Sequence, residues 1–255
     1  PIKNVYGHYI TLHENRYFEI DDFYEDEPVV AKDIRIRFYL RALANLHNQS
    51  FFSLRVRKGF FEESIEFIEN LINQASSDLE NNIRFIERLD YKSPSQWLFL
   101  LNNQLFYQAL YDAKRHLDSF KDKTKEKTML RVSLNYLNFD YSHIIVKSNK
   151  IISTHKMIIG PPIYDLKHLF DKSFHGSIDI SSFFEEYLKK FHLYEYEKEW
   201  LMALMLIPII DFRGQDEVEK IVNITNSVHH LKNAREIGRI LADTDKKDKD
   251  TEVDD

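Results

Sequence analysis

A predominantly helical α+β fold is what this sequence predicts, and three observations carry the prediction. Apolar residues make up 43% of the 255 positions, enough for a sizeable core. Only 6 Gly and 6 Pro are present, little material for the many tight turns of an all-β fold. Most long stretches repeat apolar residues at helical spacing, while two short regions, one near the start and one beyond the middle, alternate as strands do.

The first of those regions is HYITLHENRYFEI, residues 8–20, where Tyr9, Ile10, Leu12, Tyr17, Phe18 and Ile20 flank the polar HEN at 13–15, predicting two strands and a turn. DDFYEDEP ends the second strand. Ile34, Phe38, Leu40, Leu43 and Leu46 then predict a helix to about His47. A second helix, from about Phe60 to Leu89, has Phe61, Ile65, Ile68 and Ile72 on one face and a bend expected at Ser76 and Ser77. Ser93, Pro94 and Gln96 form a capping box with Pro at the first helical position, opening a buried central helix through Phe120 that contains Trp97, Leu101, Leu105 and Leu110.

KDKTKEKT at 121–128 reads as a charged, solvated connector. After it HIIVK, the polar turn SNK and IISTHKMII predict a β-hairpin. GPPIYDLKHLF restarts a helix, SSFFEEYLKKF at 181–191 opens another with Ser182 and Glu185 as its capping box, and two more are predicted over 195–209 and 215–241.

Composition excludes several classes of function. There is no Cys, which removes disulfides, thiolate nucleophiles and the common structural zinc sites together and fits a reducing compartment. The longest apolar run, LMALMLIPII at 201–210, is too short for a membrane span and is interrupted by Pro208. A net charge of -6, and a lysine-rich connector without interleaved aromatics, argue against nucleic acid as a partner. The chain starts on Pro1 with no basic, apolar leader, so the start reads as a fragment boundary. DTDKKDKDTEVDD at 243–255 sets seven acids against three lysines and reads as a disordered acidic tail.

The most informative motif is Gly160, Pro161, Pro162, Ile163, Tyr164, Asp165 and Leu166. Upstream lie Leu43-Ala44-Asn45-Leu46-His47 and the stretch SLNYLNFDYSHIIVKSNKIIST at 133–154. Together these resemble the C-terminal lobe of the aminoglycoside/choline kinase-like (protein kinase-like) fold, and most closely the bacterial spore-coat kinase-like proteins of the CotS and YutH group. That family carries "LA-x-LH", then "HGDLNPSNII", "IDFD" and "GPPxYDL". The resemblance spans nearly the whole chain. It implies a hinge-region β segment at 1–26, a kinase-like helical C-lobe at 27–241, a disordered tail at 242–255, and an N-terminal lobe largely absent.

Residue by residue, the resemblance also implies a degenerate catalytic loop. The family's loop histidine falls on Tyr136, its catalytic aspartate on Asn138, its metal-binding asparagine on His143 and its metal-binding aspartate on Ser153. Phosphoryl transfer needs carboxylates to hold Mg²⁺ and to take the hydroxyl proton, and Asn138 and Ser153 supply neither. Imidazole suits softer metals than Mg²⁺, so His143 is a poor replacement. Asp140 is the one acid placed to act as a displaced base. The glycines never cluster into a phosphate-cradling loop. Asp165, by the family pattern, is a structural residue that holds the catalytic loop through backbone hydrogen bonds.

Other residues invite chemistry and have plainer readings. His143 and His155 lack a third ligand at metal spacing. His229 and His230 are adjacent on a predicted helix and point about 100° apart. The acidic stretch Glu19, Asp21, Asp22, Glu25, Asp26 and Glu27 reads as a solvated loop. The resulting expectation is a catalytically inactive kinase-fold protein with no metal and no cofactor. It acts by binding other proteins, and the resemblance implies spore-coat components as partners and the mother-cell cytoplasm or the coat as its place. The alternative is a divergent ATP-dependent small-molecule phosphotransferase in which Asp140 and acids of the hinge region have taken over, completed by an upstream lobe. A third reading, a helical interaction module unrelated to kinases, would lack a hairpin packed beside the helix that follows Pro162.

Overall fold

The chain opens, as its alternation predicts, with strands β1 (Ile10–His13) and β2 (Arg16–Glu19), paired antiparallel with His13 opposite Arg16. Glu14 and Asn15 at the turn have φ of 48° and 59°, the left-handed pair that lets a two-residue turn follow the twist of its strands. Both faces of this ribbon are open to solvent, including Ile10, Leu12, Tyr17 and Phe18. The computed structural model describes residues 2–20, 23, 30–174 and 179–252, so the acids at 21, 22 and 25–27 lie outside the described residues.

Helix α1 (Lys32–Ser50) buries Ile36, Tyr39, Leu40, Leu43, Ala44 and His47 on one stripe. Ile34, expected on that stripe, is half exposed; Ile36 takes its place. A short strand that the sequence reading left out, β3 (Phe52–Arg55), leads to α2 (Phe60–Glu87) through Gly59, whose φ of 92° suits a residue without Cβ. Helix α2 runs unbroken through Ser76 and Ser77 where a bend was expected, because a continuous stripe of Phe61, Ile68, Ile72, Leu79, Ile83 and Ile86 is packed into the core.

The capping box at Ser93 forms, with Ser93 N donating to Gln96 Oε1 at 2.8 Å. The helix it opens is not continuous, however. It divides into α3 (Pro94–Leu101) and α4 (Asn103–Thr124) at Asn102, whose backbone leaves helical geometry while its side-chain amide donates to Leu98 O at 2.8 Å. Trp97 and Leu101, expected inside, face solvent, and the core is entered by Phe99, Phe106, Ala109, Leu110, Ala113, Leu117 and Phe120. Helix α4 also reaches into the supposed connector as far as Thr124, which is buried and donates its hydroxyl to Phe120 O at 2.7 Å.

Strand β4 (Met129–Asn135), also absent from the sequence reading, is the middle strand of a three-stranded antiparallel sheet, between β3 and the later strand β7 (Ile158–Gly160). It is covered on both faces, so it lacks the polar alternation that announces a half-buried strand. Its Arg131 forms a buried, two-pronged ion pair with Glu197 (Nε to Oε1, 2.9 Å) and donates to His192 O at 2.8 Å. The guanidinium lies between the rings of Phe191 and Tyr194, 4.4 and 3.8 Å from their centroids. A buried charge needs such a partner and such a set of hydrogen bonds.

The predicted hairpin is present but brief: β5 (Ile144–Ile145) pairs with β6 (Lys150–Ile151). The second apolar run then splits, because a helical turn at Thr154–Lys156 redirects the chain and β7 (Ile158–Gly160) joins β4. Four helices follow: α5 (Ile163–Ser173), α6 (Ser181–Leu188), α7 (Glu195–Met205) and α8 (Glu217–Glu252). The capping box expected at Ser182 and Glu185 does not form, since the N-cap is Ile180, two residues earlier, and Asp179 receives the hydroxyls of Ser181 and Ser182 instead. Helix α7 ends at Met205, three residues before Pro208. Helix α8 continues past Leu241 to Glu252, so the backbone does not leave the helix at 242; no Gly or Pro interrupts that run. The core lies where α4 packs along α2 and α7, with Phe120 stacked on Trp200 at 5.0 Å.

Candidate functional site

The residues singled out between 136 and 165 come together where β4 hands the chain to the hairpin. Leu137, with φ of 50°, turns the backbone sharply after the strand. That turn is held from below by α5. Pro161 and Pro162 start the helix, and Asp165 in its first turn is fully buried. Its Oδ2 accepts from Tyr136 N at 2.7 Å and its Oδ1 from Leu137 N at 2.7 Å. Gly160 permits the approach: a Cβ there would meet the Tyr164 ring at 3.2 Å and Asn135 Nδ2 at 3.5 Å.

The Asp165 carboxylate has a third donor, His47 Nε2, 3.0 Å from Oδ2 and reaching from the last turn of α1. An ionised carboxylate only accepts, so Nε2 carries the hydrogen, and in the neutral ring Nδ1 is then the acceptor. It accepts from the Tyr187 hydroxyl of α6 at 2.7 Å. Burial, and then the negative charge of Glu197, hold the Tyr187 hydroxyl well above the ordinary phenol range, so it stays a donor. Three helices are thereby tied to one carboxylate beneath the loop.

Above that frame the side chains bond to one another. Tyr136, nearly inaccessible, donates its hydroxyl to Ile152 O at 2.5 Å and lies 3.2 Å from His143 Nδ1; burial and the charges of Asp140 and Asp165 push it above the ordinary range. Asn138 Nδ2 donates to Ser153 O at 2.9 Å. His143 Nδ1 donates to Asn138 O at 2.8 Å. Ser153 sits in the left-handed region with φ of 64°, its carbonyl turned toward Asn138. Tyr39 of α1 closes the group with edge-on contacts to Tyr136 and Phe139, at 6.0 and 4.8 Å.

Asp140 is exposed and stands at the start of a helical turn over Tyr141–His143. Its Oδ1 accepts from Ser142 Oγ at 2.6 Å and from Ser142 N at 2.8 Å, and these bonds hold its carboxyl below the usual carboxylate range. Such a group is a weaker base than an ordinary aspartate.

No group of three or more His, Cys, Asp or Glu that could hold a metal ion occurs among the described residues. His155 is exposed in the turn after Ser153. His230 is buried instead, its ring 3.7 Å from that of Phe170, and burial, with help from Lys167 and His229, pushes it down to about 3. The cleft beside Tyr136, about 240 Å³ between α1 and the hairpin, is lined by Phe38, Ala42, Leu43, Leu46, Tyr136, Asn149, Ile151, Thr154 and Met157, with no charged side chain.

Comparison with solved structures decides the architecture. An aminoglycoside phosphotransferase from Alicyclobacillus acidocaldarius superposes with a TM-score of 0.64 over 95% of this chain and 76% of its own, at 10% identity. The fold is kinase-like. At that identity the likeness speaks for the fold alone. No family model matches the sequence, and no curated protein matches it. Among the described residues, no helix is long and apolar enough to cross a membrane.

Some of what frames the loop was missed in the sequence. Tyr187 carries no motif, and its bond to His47 spans 140 residues. Tyr39 looked like one more apolar position of α1. Ser133 Oγ and Asn135 Oδ1 are buried without a hydrogen-bond partner, a feature that no sequence pattern announces.

Proposed function

We propose that this chain is a catalytically inactive kinase-fold protein that works by binding other proteins. The observation that carries the reading is the closure of the loop on itself. The side chains of Tyr136, Asn138, Asp140 and His143 are each engaged in bonds within the loop or with residues 152 and 153, and the one carboxylate among them, Asp140, is held through Oδ1 by Ser142. Phosphoryl transfer depends on metal ions and charged groups facing the phosphates. The adjoining cleft is lined without a cation or an anion.

The phosphotransferase reading requires Asp140 as a base, and the two bonds from Ser142 to its Oδ1 hold it below the usual carboxylate range, which weakens it in that role. Placement among spore-coat or other sporulation-associated proteins, with coat components as partners, rests on the GPPIYDL motif and the loop frame, and is proposed on that ground. The division into a hinge-side β segment at 1–26 and a helical body at 27–241 belongs to the same reading.

The test is a thermal shift of the protein with ATP or GTP, with and without Mg²⁺. A ligand at about 100 times its Kd adds about 2.7 kcal/mol, which for a domain of this size is a rise of roughly 5–10 °C. The expected result is no rise with either nucleotide. A magnesium-dependent rise of that order would overturn the proposal.

A further inference from the structure

A groove of about 360 Å³ lies between α4, α7 and α8, on helices that supply none of the side chains of the loop described above. Its mouth is cationic and its base apolar. Arg115 and Arg239 are largely exposed, whereas Met202 and Leu206 are buried. Gly238 forms part of the wall: a Cβ there would come within 2.9 Å of Met202 Cε, so a larger residue would drive that side chain out of its place.

The arginines are not fully used by the protein. Asp112 is the one carboxylate in the lining, and it lies 4.0 Å from Arg115 Nη2 and 3.7 Å from Arg235 Nη2, both beyond hydrogen-bond reach. Arg235 Nη2 is shut off from solvent without a hydrogen-bond partner. A guanidinium presents five N–H donors in a planar fork, and a buried donor left unmade is costly. The other basic groups are engaged: His116 with Glu199 at 2.6 Å, and Arg239 with Glu236 at 2.8 Å. What remains is the exposed fork of Arg115 and one buried Arg235 donor without a hydrogen bond, two guanidiniums that share the single Asp112 carboxylate as a loose ion-pair partner, above an apolar base and in a volume within the range of small-molecule sites.

We propose that this groove binds an amphiphilic anion, its carboxylate or phosphate head held by Arg115 and Arg235 and a short apolar body resting on Met202, Leu206 and Ala242. The planar fork matches either oxyanion in two-pronged fashion.

Isothermal titration calorimetry on the full chain tests this with octyl phosphate, octanoate and inorganic phosphate as probes, on the native protein and on Arg115→Gln and Arg235→Gln. At least one amphiphile should bind with a stoichiometry of one, inorganic phosphate at least about tenfold more weakly, and each substitution should weaken binding at least about tenfold, or about 1.4 kcal/mol. Whichever amphiphile binds more tightly identifies the head group. Should Arg235→Gln fail to fold, Arg115→Gln, at an exposed position, carries the test. The proposal is overturned if neither amphiphile binds, if inorganic phosphate binds as tightly as the amphiphiles, or if the substitutions leave affinity unchanged.

Discussion

Asp165 and Asp140 lie 25 residues apart in one site and live in opposite circumstances. Asp165 is inaccessible and receives three hydrogen bonds, two from adjacent backbone amides of the loop and one from His47 of α1. Asp140 is exposed and serves only the serine two residues ahead. The first is built into the frame of the molecule, while the second closes a single local turn. The most heavily supported acid of the site thus faces the frame, and its accessible acid is bonded to its own neighbour.

Substitution separates the two circumstances, and the largest effect belongs to Asp165. Asp165→Ala strands three buried donors and should cost about 3–5 kcal/mol, by analogy with breaking a buried ion pair. Urea unfolding followed by circular dichroism measures it, and a loss below about 1 kcal/mol would erase the contrast. Acid probes the same buried side of the molecule through His230. Its value in the folded chain, about 3, lies below the unfolded value near 6.5. The unfolded chain therefore takes up the proton first as pH falls, and stability drops between about pH 6.5 and 3, by up to about 1.4 kcal/mol per unit. His230→Phe should flatten that part of the stability profile; an unchanged profile would assign the acid sensitivity elsewhere.

Smaller effects sharpen the comparison. Tyr187→Phe removes the donor to His47 and leaves a buried acceptor alone, at about 1–3 kcal/mol. Asp140→Ala removes only an exposed cap on one turn, and its cost should stay within about 1 kcal/mol in the same urea experiment. If Asp140→Ala proves as damaging as Tyr187→Phe, the loop is part of the frame and the distinction fails.

How much of this was legible in the sequence follows from the kind of signal each feature leaves. The first hairpin was readable because its turn falls on Glu14 and Asn15 between alternating apolar residues, and the start of α3 because Ser93, Pro94 and Gln96 make a local motif. Asp165 was placed through the motif that surrounds it. Strand β4 left no trace because both its faces are covered, and the break at Asn102 none because neither Gly nor Pro marks it. The loop's hydrogen bonds were beyond reach for another reason. Which partner Tyr136 or Asn138 finds depends on where the carbonyls of Ile152 and Ser153 turn, and Ser153 adopts a left-handed backbone that its identity does not announce.

The bond from His47 to Tyr187 has a bearing on the order of assembly. The loop at 136–143 and the acid that carries it are synthesised long before α6, yet the histidine that completes the carboxylate's shell gets its own partner only from α6. Closing so wide a span is entropically slow. In a growing chain the loop would therefore stay unsettled until α6 has docked, and a fragment ending at residue 174 would hold Tyr136, Asn138, Asp140, His143, Ser153 and Asp165 and still fail to protect the amides of Tyr136 and Leu137 from hydrogen exchange.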